Sequence, residues 1–252
     1  MNKYEKYDEQ IIKLAKEGNK PYQISRELKI DSRRVIDRLK INNIQYKKGN
    51  INERIEIQDE IQEQVLIGTI IGDGCIFKGK GNVNFRMNLA HSFKQKQYFM
   101  YKYNILKNLK FKKPKIEKEV HIKTNKEYTC IKTQSLTNPL FTELYGIWYK
   151  DGKKVIPKSQ LNKIKDLAIA IVFFDDGSKN GSSYQISMSN YDIESINNFR
   201  ILLFEKYGIE TNLHKNKNVY IKAISKDKFK NMIKKYATSD VLYKLGELLE
   251  TP

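Results

Sequence analysis

The sequence predicts an α+β fold in which two pseudo-symmetric repeats share a central pair of packed helices, preceded by a small all-α domain. Three observations predict it. The runs Leu66-Ile67-Gly68-Thr69-Ile70-Ile71-Gly72-Asp73-Gly74 and Leu167-Ala168-Ile169-Ala170-Ile171-Val172-Phe173-Phe174-Asp175-Asp176-Gly177 are both apolar and helix-like, and both stop at a carboxylate followed by glycine. Behind each run the same order of alternating and helical patterns follows. Residues 1–45 carry only short helical patterns.

An acid at the end of a buried helix meets the carbonyl end of the helix dipole, which disfavours negative charge. A cation removes the conflict, and two such ends side by side make a divalent-metal site of oxygen ligands. Gly68 and Gly72 share one helix face. Glycine inside a helix costs about 1 kcal/mol against alanine, and close approach of another backbone is the return. Ala168 and Ala170 supply small residues on the second run. The two helices are therefore expected to pack along a pseudo-twofold axis, with Asp73 and Asp176 together at their ends.

Composition narrows the partner. The chain has 252 residues and a formal net charge of +18, more than solubility needs, and nucleic acid is the usual polyanion. No run of eighteen apolar residues suggests a membrane span. His91, His121 and His214 are scattered, which weakens a zinc or histidine-base nuclease. Cys75 and Cys130 form no zinc spacing or disulfide framework. Without an apolar leader after Met1, a cytoplasm or an organellar matrix is expected and secretion is not.

The elements follow in order. Ile11, Ile12, Leu14 and Ala15 mark a first helix ended by Gly18; Ile24 and Leu28 mark a second. Asp31 or Ser32 caps a third, running to Ile41 with Val35 and Leu39 inside. This spacing resembles helix-turn-helix DNA-binding domains, which implies that Arg33, Arg34 and Arg38 meet base edges; a solvated basic face is the alternative. Residues 46–58, with Lys47-Lys48-Gly49-Asn50 at their centre, read as a linker. The first repeat is expected over 59–150 and the second over 151–252.

Within the first repeat, a buried helix spans Gln62 to Ile71. Val83, Phe85, Met87 and Leu89 then alternate with Asn84, Arg86, Asn88 and Ala90, a half-buried strand. Its polar face carries side chains that read adenine and guanine edges, or is merely solvated. A helix from Gln95 to Leu109, strands over Lys115–Ile122 and Tyr128–Gln134 turning at Asn125-Lys126, and a short helix from Thr137 to Gly146 complete the unit. The second repeat runs likewise. Tyr184, Ile186 and Met188 alternate with Ser183, Gln185, Ser187 and Ser189; a helix runs from Ile193 to Lys206; a hairpin turns at Asn216-Lys217-Asn218; and Lys226 to Tyr236 closes the unit.

The paired runs resemble the two motifs of LAGLIDADG homing endonucleases of the single-chain, two-repeat type, over residues 55–252. The resemblance implies two αββαββα repeats forming a saddle of antiparallel sheets that lies in the DNA major groove. It implies a monomer, a long asymmetric double-stranded target, and hydrolysis of phosphodiester bonds with Mg²⁺ or Mn²⁺ at Asp73 and Asp176. Counting back from the glycine selects Asp176 as the counterpart of Asp73, and sets Asp175 in the place of Gly72. The backbone carbonyls of Gly72 and Asp175 are the implied further metal ligands. Lys154, in Lys153-Lys154-Val155-Ile156-Pro157, and Lys244, in Tyr243-Lys244-Leu245, match active-site lysines that polarise the nucleophilic water or stabilise the phosphate. DNA contacts are expected from Asn84, Arg86, Asn88, Gln185, Lys215 and Lys217.

The chain departs from the pattern in two places. Ile171 stands where the first motif has Gly68, and the N-terminal helices lie outside the core pattern. With no nucleophile at its start and no His-Asn end, an intein is not expected; an intron-encoded or free-standing endonuclease is. The competing reading is a non-cleaving nucleic-acid binder on the same scaffold, either a maturase for intron RNA or a transcription regulator. Paired acids facing a polyanion favour cleavage, since binding alone does not need them. A helix-turn-helix regulator with an unrelated ligand-sensing domain does not account for the repeated endings.

Overall fold

The computed structural model describes residues 4–46, 53–121 and 125–247. Lys47-Lys48-Gly49-Asn50 and Ile122 lie outside the described residues. The chain divides into two compact units, Met1–Glu53 and Arg54–Pro252.

The first unit holds α1 (Asp8–Lys16), α2 (Pro21–Leu28) and α3 (Ser32–Ile41). Ile11, Ala15, Ile24, Val35 and Leu39 form its core. Gly18 takes φ +88 to end the first helix, and Lys29 takes φ 53 in the turn between the second and third. The Asp31 carboxylate caps α3 by accepting the Arg33 N–H at 2.8 Å, supplying an otherwise missing partner. Arg38 corrects an expectation. It is 6% exposed, and its Nε donates to Asp8 Oδ1 at 2.7 Å. It braces the first helix against the third and does not point at a base edge.

The second unit opens with residues 54–58, which are expected to be linker but lie against the body. The Ile55 N–H donates to Asn138 Oδ1 at 3.0 Å, and Ile55 and Ile57 pack on the core. The first repeat then runs α4 (Glu60–Ile71), β1 (Cys75–Phe77), β2 (Arg86–Ser92), α5 (Lys96–Leu106), β3 (Lys115–His121), β4 (Lys126–Gln134) and α6 (Pro139–Trp148). A short hairpin, β5 (Tyr149–Lys150) and β6 (Lys153–Lys154), connects the repeats. The second repeat repeats the order: α7 (Asp166–Asp176), β7 (Gly177–Asn180), β8 (Ser183–Ser187), α8 (Ile193–Tyr207), β9 (Thr211–Leu213), β10 (Asn218–Ile221) and α9 (Lys226–Lys234). Both sheets are antiparallel and equivalently ordered, β1-β2-β4-β3 and β7-β8-β10-β9.

The strand expected from Val83 starts only at Arg86. The segment before it bonds to α6 rather than to a strand: the Phe85 N–H donates to Thr142 Oγ1 at 3.2 Å, and the Asn138 N–H to the Phe85 carbonyl at 3.0 Å. Val83 is consequently 75% exposed and Asn84 is buried. The Thr142 hydroxyl donates to Asn84 Oδ1 at 3.1 Å, so Asn84 is a packing residue and not a DNA contact.

The motif helices α4 and α7 are buried on nearly every side, as their uniformly apolar sequences require. A Cβ on Gly68 would lie 2.6 Å from Ile171 Cβ and 2.7 Å from the Ala168 carbonyl oxygen. The glycine thus admits the second helix, and the single Ile171 fills the space left by its partner. The buried Gln64 amide ties the helices at their other end, donating to the Lys163 carbonyl and accepting the Lys165 N–H at 2.8 and 2.7 Å.

Candidate active site

Helix α4 ends at Gly72, whose N–H closes on the Gly68 carbonyl at 2.8 Å. Asp73 follows as the first residue beyond the helix, and Asp176 is the last of α7. Asp73, Asp176 and Lys154 line one cavity of about 170 Å³, together with Ile71, Gly72 and residues 187–191. Burial pushes the Asp73 carboxyl above its ordinary range, and the Asp175 charge adds to it. Burial, then Asp73 and Asp175, push Asp176 up to about 7. Two carboxylates lining one cavity, each disfavoured in its charged form, form an oxygen-donor set that suits a hard divalent cation.

Both lysines singled out by the family resemblance lie at the helix ends. Lys154 on β6 donates to the Gly72 carbonyl. Lys244, beyond α9, donates to the Asp175 carbonyl at 2.8 Å. Each motif helix therefore has one ammonium on the last carbonyl before its aspartate, Lys154 from the connecting hairpin and Lys244 from the end of the second repeat, where a cation also complements the helix dipole. Burial lowers the pKa of both lysines, against the opposing pull of the surrounding aspartates. These two carbonyls are the ones that the family resemblance gives to a metal.

The Asp175 side chain plays a different part. It is fully buried and accepts Lys102 Nζ at 2.8 and 3.0 Å. It also accepts the Tyr98 hydroxyl at 2.8 Å and the Asp73 backbone N–H at 2.9 Å. Burial works against its charge, but Lys102 overcomes that and holds the pKa below the ordinary carboxylate value. His91 completes this floor, with Nδ1 3.6 Å from Asp73 Oδ2 and Nε2 3.7 Å from Asp175 Oδ1. Burial, helped by Lys102, pushes His91 down to about 3, so it is neutral. Asp73, His91 and Asp175 offer donor atoms within 4.8 Å of one another, but both Asp175 oxygens already accept Lys102.

Sequence reasoning missed His91, Tyr98 and Lys102. The signal for Lys102 was its place on the apolar face of α5, between Tyr98, Phe99 and Leu106, all buried. A lysine there needs a buried partner.

The sheet faces turned away from the core carry the expected base-reading side chains. On the first, Asn88 pairs with Cys75 and Gln134 in the ladders. Arg86 donates to Gln134 Oε1 at 2.9 Å, and Gln134 to Asn88 Oδ1 at 3.0 Å, giving a fixed row of amides and a guanidinium. On the second, Gln185 accepts Asn180 Nδ2 at 2.8 Å and Asn218 Nδ2 at 3.3 Å. Lys215 is exposed, while Lys217 donates to the Tyr191 carbonyl at 2.9 Å. In the first unit Arg33 and Arg34 are exposed, and Arg34 lies 3.7 Å from Asp37. No described helix is long and apolar enough to cross a membrane.

Comparison with known proteins matches residues 63–232 to the LAGLIDADG DNA endonuclease family. The cytochrome b mRNA maturase bI2 of Debaryomyces hansenii is 28% identical over 198 residues, covering 76% of each chain. The probable intron-encoded endonuclease 1 of Wickerhamomyces canadensis is 27% identical over 197 residues, covering 74% of this chain and 84% of its own. Among solved structures, the homing endonuclease I-WcaI bound to its DNA recognition sequence superposes with a TM-score of 0.68 at 22% identity. That match covers 78% of this chain and 90% of I-WcaI, and it shares the fold.

Proposed function

The chain belongs to the LAGLIDADG DNA endonuclease family, and on that premise we propose that it is a homing endonuclease. It hydrolyses both strands of a long, asymmetric DNA site with Mg²⁺ or Mn²⁺. The observation that carries this reading is the convergence of Asp73, Asp176 and Lys154 on one cavity at the paired helix ends. The two carboxylates would hold the cation. A divalent ion there supplies charge to neutralise the scissile phosphate and to acidify the attacking water. Lys154 and Lys244 flank the carboxylates, where an ammonium orients that water or the phosphate oxygens. Arg86, Asn88 and Gln185 read bases, and Lys215 and Lys217 hold phosphates. Arg33 and Arg34 extend the footprint. The pseudo-twofold lies within one chain, so a monomer suffices for an asymmetric site.

The test is cleavage of a randomised duplex library with Mg²⁺, sequencing the cut ends, beside an Asp73→Asn, Asp176→Asn variant. One long preferred site, cut on both strands and lost in the variant, is the expected result. Enrichment by binding with no cut ends, equal in both proteins, overturns it.

A second reading is favoured by the Debaryomyces hansenii relative, which is named a cytochrome b mRNA maturase. A chain of this net charge also suits intron RNA. Splicing of a cognate intron that survives loss of both aspartates would mark that role as separate from cleavage.

A further inference from the structure

The two halves of the site are not built alike. Cys75 and Ser178, each two residues past its aspartate, pair with Asn88 and Gln185. His91, three residues beyond Asn88, thus corresponds to Met188, three beyond Gln185. Helices α5 and α8 begin at the same distance past these residues, so Tyr98 corresponds to Ser195 and Lys102 to Phe199. The floor of the first repeat is polar, with His91, Tyr98 and Lys102. That of the second is Met188, Ser195 and Phe199, all buried.

Asp175 is the side chain for which that polar floor exists. Its counterpart is Gly72, and a Cβ on Gly72 would lie 2.6 Å from Asp175 Cβ. The glycine on one side thus makes room for the acid on the other. From there the Asp175 carboxylate reaches across the pseudo-twofold and accepts the Asp73 N–H, just where the α4 backbone has left its helical bonding. Asp176 is still within α7, and among the described residues no side chain makes the corresponding bond to its backbone. Stability alone does not explain a fully buried Lys102–Asp175 pair. Desolvation offsets the attraction, and an apolar replacement of equal volume is commonly as stable.

We propose that the buried Lys102–Asp175 pair is a positioning device that fixes Asp73 alone, so that the two strands are cut at unequal rates. Lys102 holds both oxygens of the Asp175 carboxylate in place. Asp175 then sets the backbone of Asp73, and hence the aim of its carboxylate. This inference rests on the endonuclease reading.

The test is single-turnover cleavage of a supercoiled plasmid carrying the selected target, with the strand of each nick identified by end labelling. Two charge-neutral double variants are compared with wild type: Lys102→Met with Asp175→Ala, which removes the acceptor for the Asp73 N–H, and Lys102→Met with Asp175→Asn, which keeps one. Thermal melting reports the fold of each, and Tyr98→Phe provides a milder perturbation that leaves the ion pair in place. The wild type is expected to nick one strand first. The alanine variant should change the ratio of the two strand rates at least tenfold, the asparagine variant should restore most of it, and Tyr98→Phe should move it in the same direction. A parallel fall of both rates in the folded variants shows a merely structural role and overturns the inference. If the double variants do not fold, an unchanged ratio in Tyr98→Phe overturns it. No cutting by the wild type overturns the endonuclease reading, and the inference with it.

Discussion

The Asp175 carboxylate accepts the Asp73 backbone N–H at 2.9 Å, so a side chain of the second motif fixes the main chain of the first. The two motifs are thereby joined at their aspartate-bearing ends as well as along their helices, and the site's geometry depends on both repeats at once.

Substituting Gly72 tests that join. Gly72→Ala places a methyl within 2.6 Å of Asp175 Cβ, and overpacking of this kind costs about 1–3 kcal/mol. Urea unfolding of the full chain should show the loss. Gly146→Ala, where an added Cβ meets nothing within 4 Å, should show little.

The two lysines are expected to act in the reaction and not in binding. Lys154→Met and Lys244→Met should each lower the cleavage rate by about 10²–10³, the loss typical of one preorganised donor. DNA affinity, measured by fluorescence anisotropy, should change little for either variant, since each lysine is more than half buried at the site.

Contacts on the sheets should separate by kind. Asn88→Ala should cost about 1–3 kcal/mol and relax preference at a single base pair. Lys215→Ala should weaken all sequences alike and lower the slope of log affinity against log salt by about 1. Cut-site profiles and salt titrations of the two variants distinguish these outcomes.

The N-terminal unit has its own pH dependence. Hydrogen bonding to Arg38 lowers the folded pKa of Asp8 below its ordinary value. The sign follows: the folded state binds the proton less well than the unfolded one. The pair's contribution is therefore present above the ordinary carboxylate pKa and lost as pH falls through the depressed one. Hydrogen-exchange protection of α1 and α3 in the intact protein, taken relative to the intrinsic rate at each pH, should fall in that acidic window, and Arg38→Met should remove the dependence. Arg33→Ala with Arg34→Ala should leave exchange unchanged and weaken DNA binding.

These cases also show what a sequence carries. The Asp-Gly endings are local and repeated, so Asp73, Asp176 and the packed helices were legible in them, and family resemblance supplied Lys154 and Lys244. Arg38 was misjudged because an arginine on a helix looks the same in water as against an aspartate thirty residues away. Asn84 was misjudged because alternation at 83–85 continues that of the strand, whereas the hydrogen bonds there go to α6. Lys102 and His91 acquire meaning only from Asp175, which lies in the other repeat. Pairings of this length leave no periodic trace in either segment.

The most direct test of the central claim is double-strand cleavage of a plasmid bearing the selected site, followed as Mg²⁺ is added to the metal-free protein. Asp73→Asn, Asp176→Asn protein of equal DNA affinity is the control. Linear product that appears only with the cation, and falls at least a thousandfold in the variant, is predicted. Cleavage without added cation, or undiminished in the variant, would contradict a metal site built on the paired aspartates.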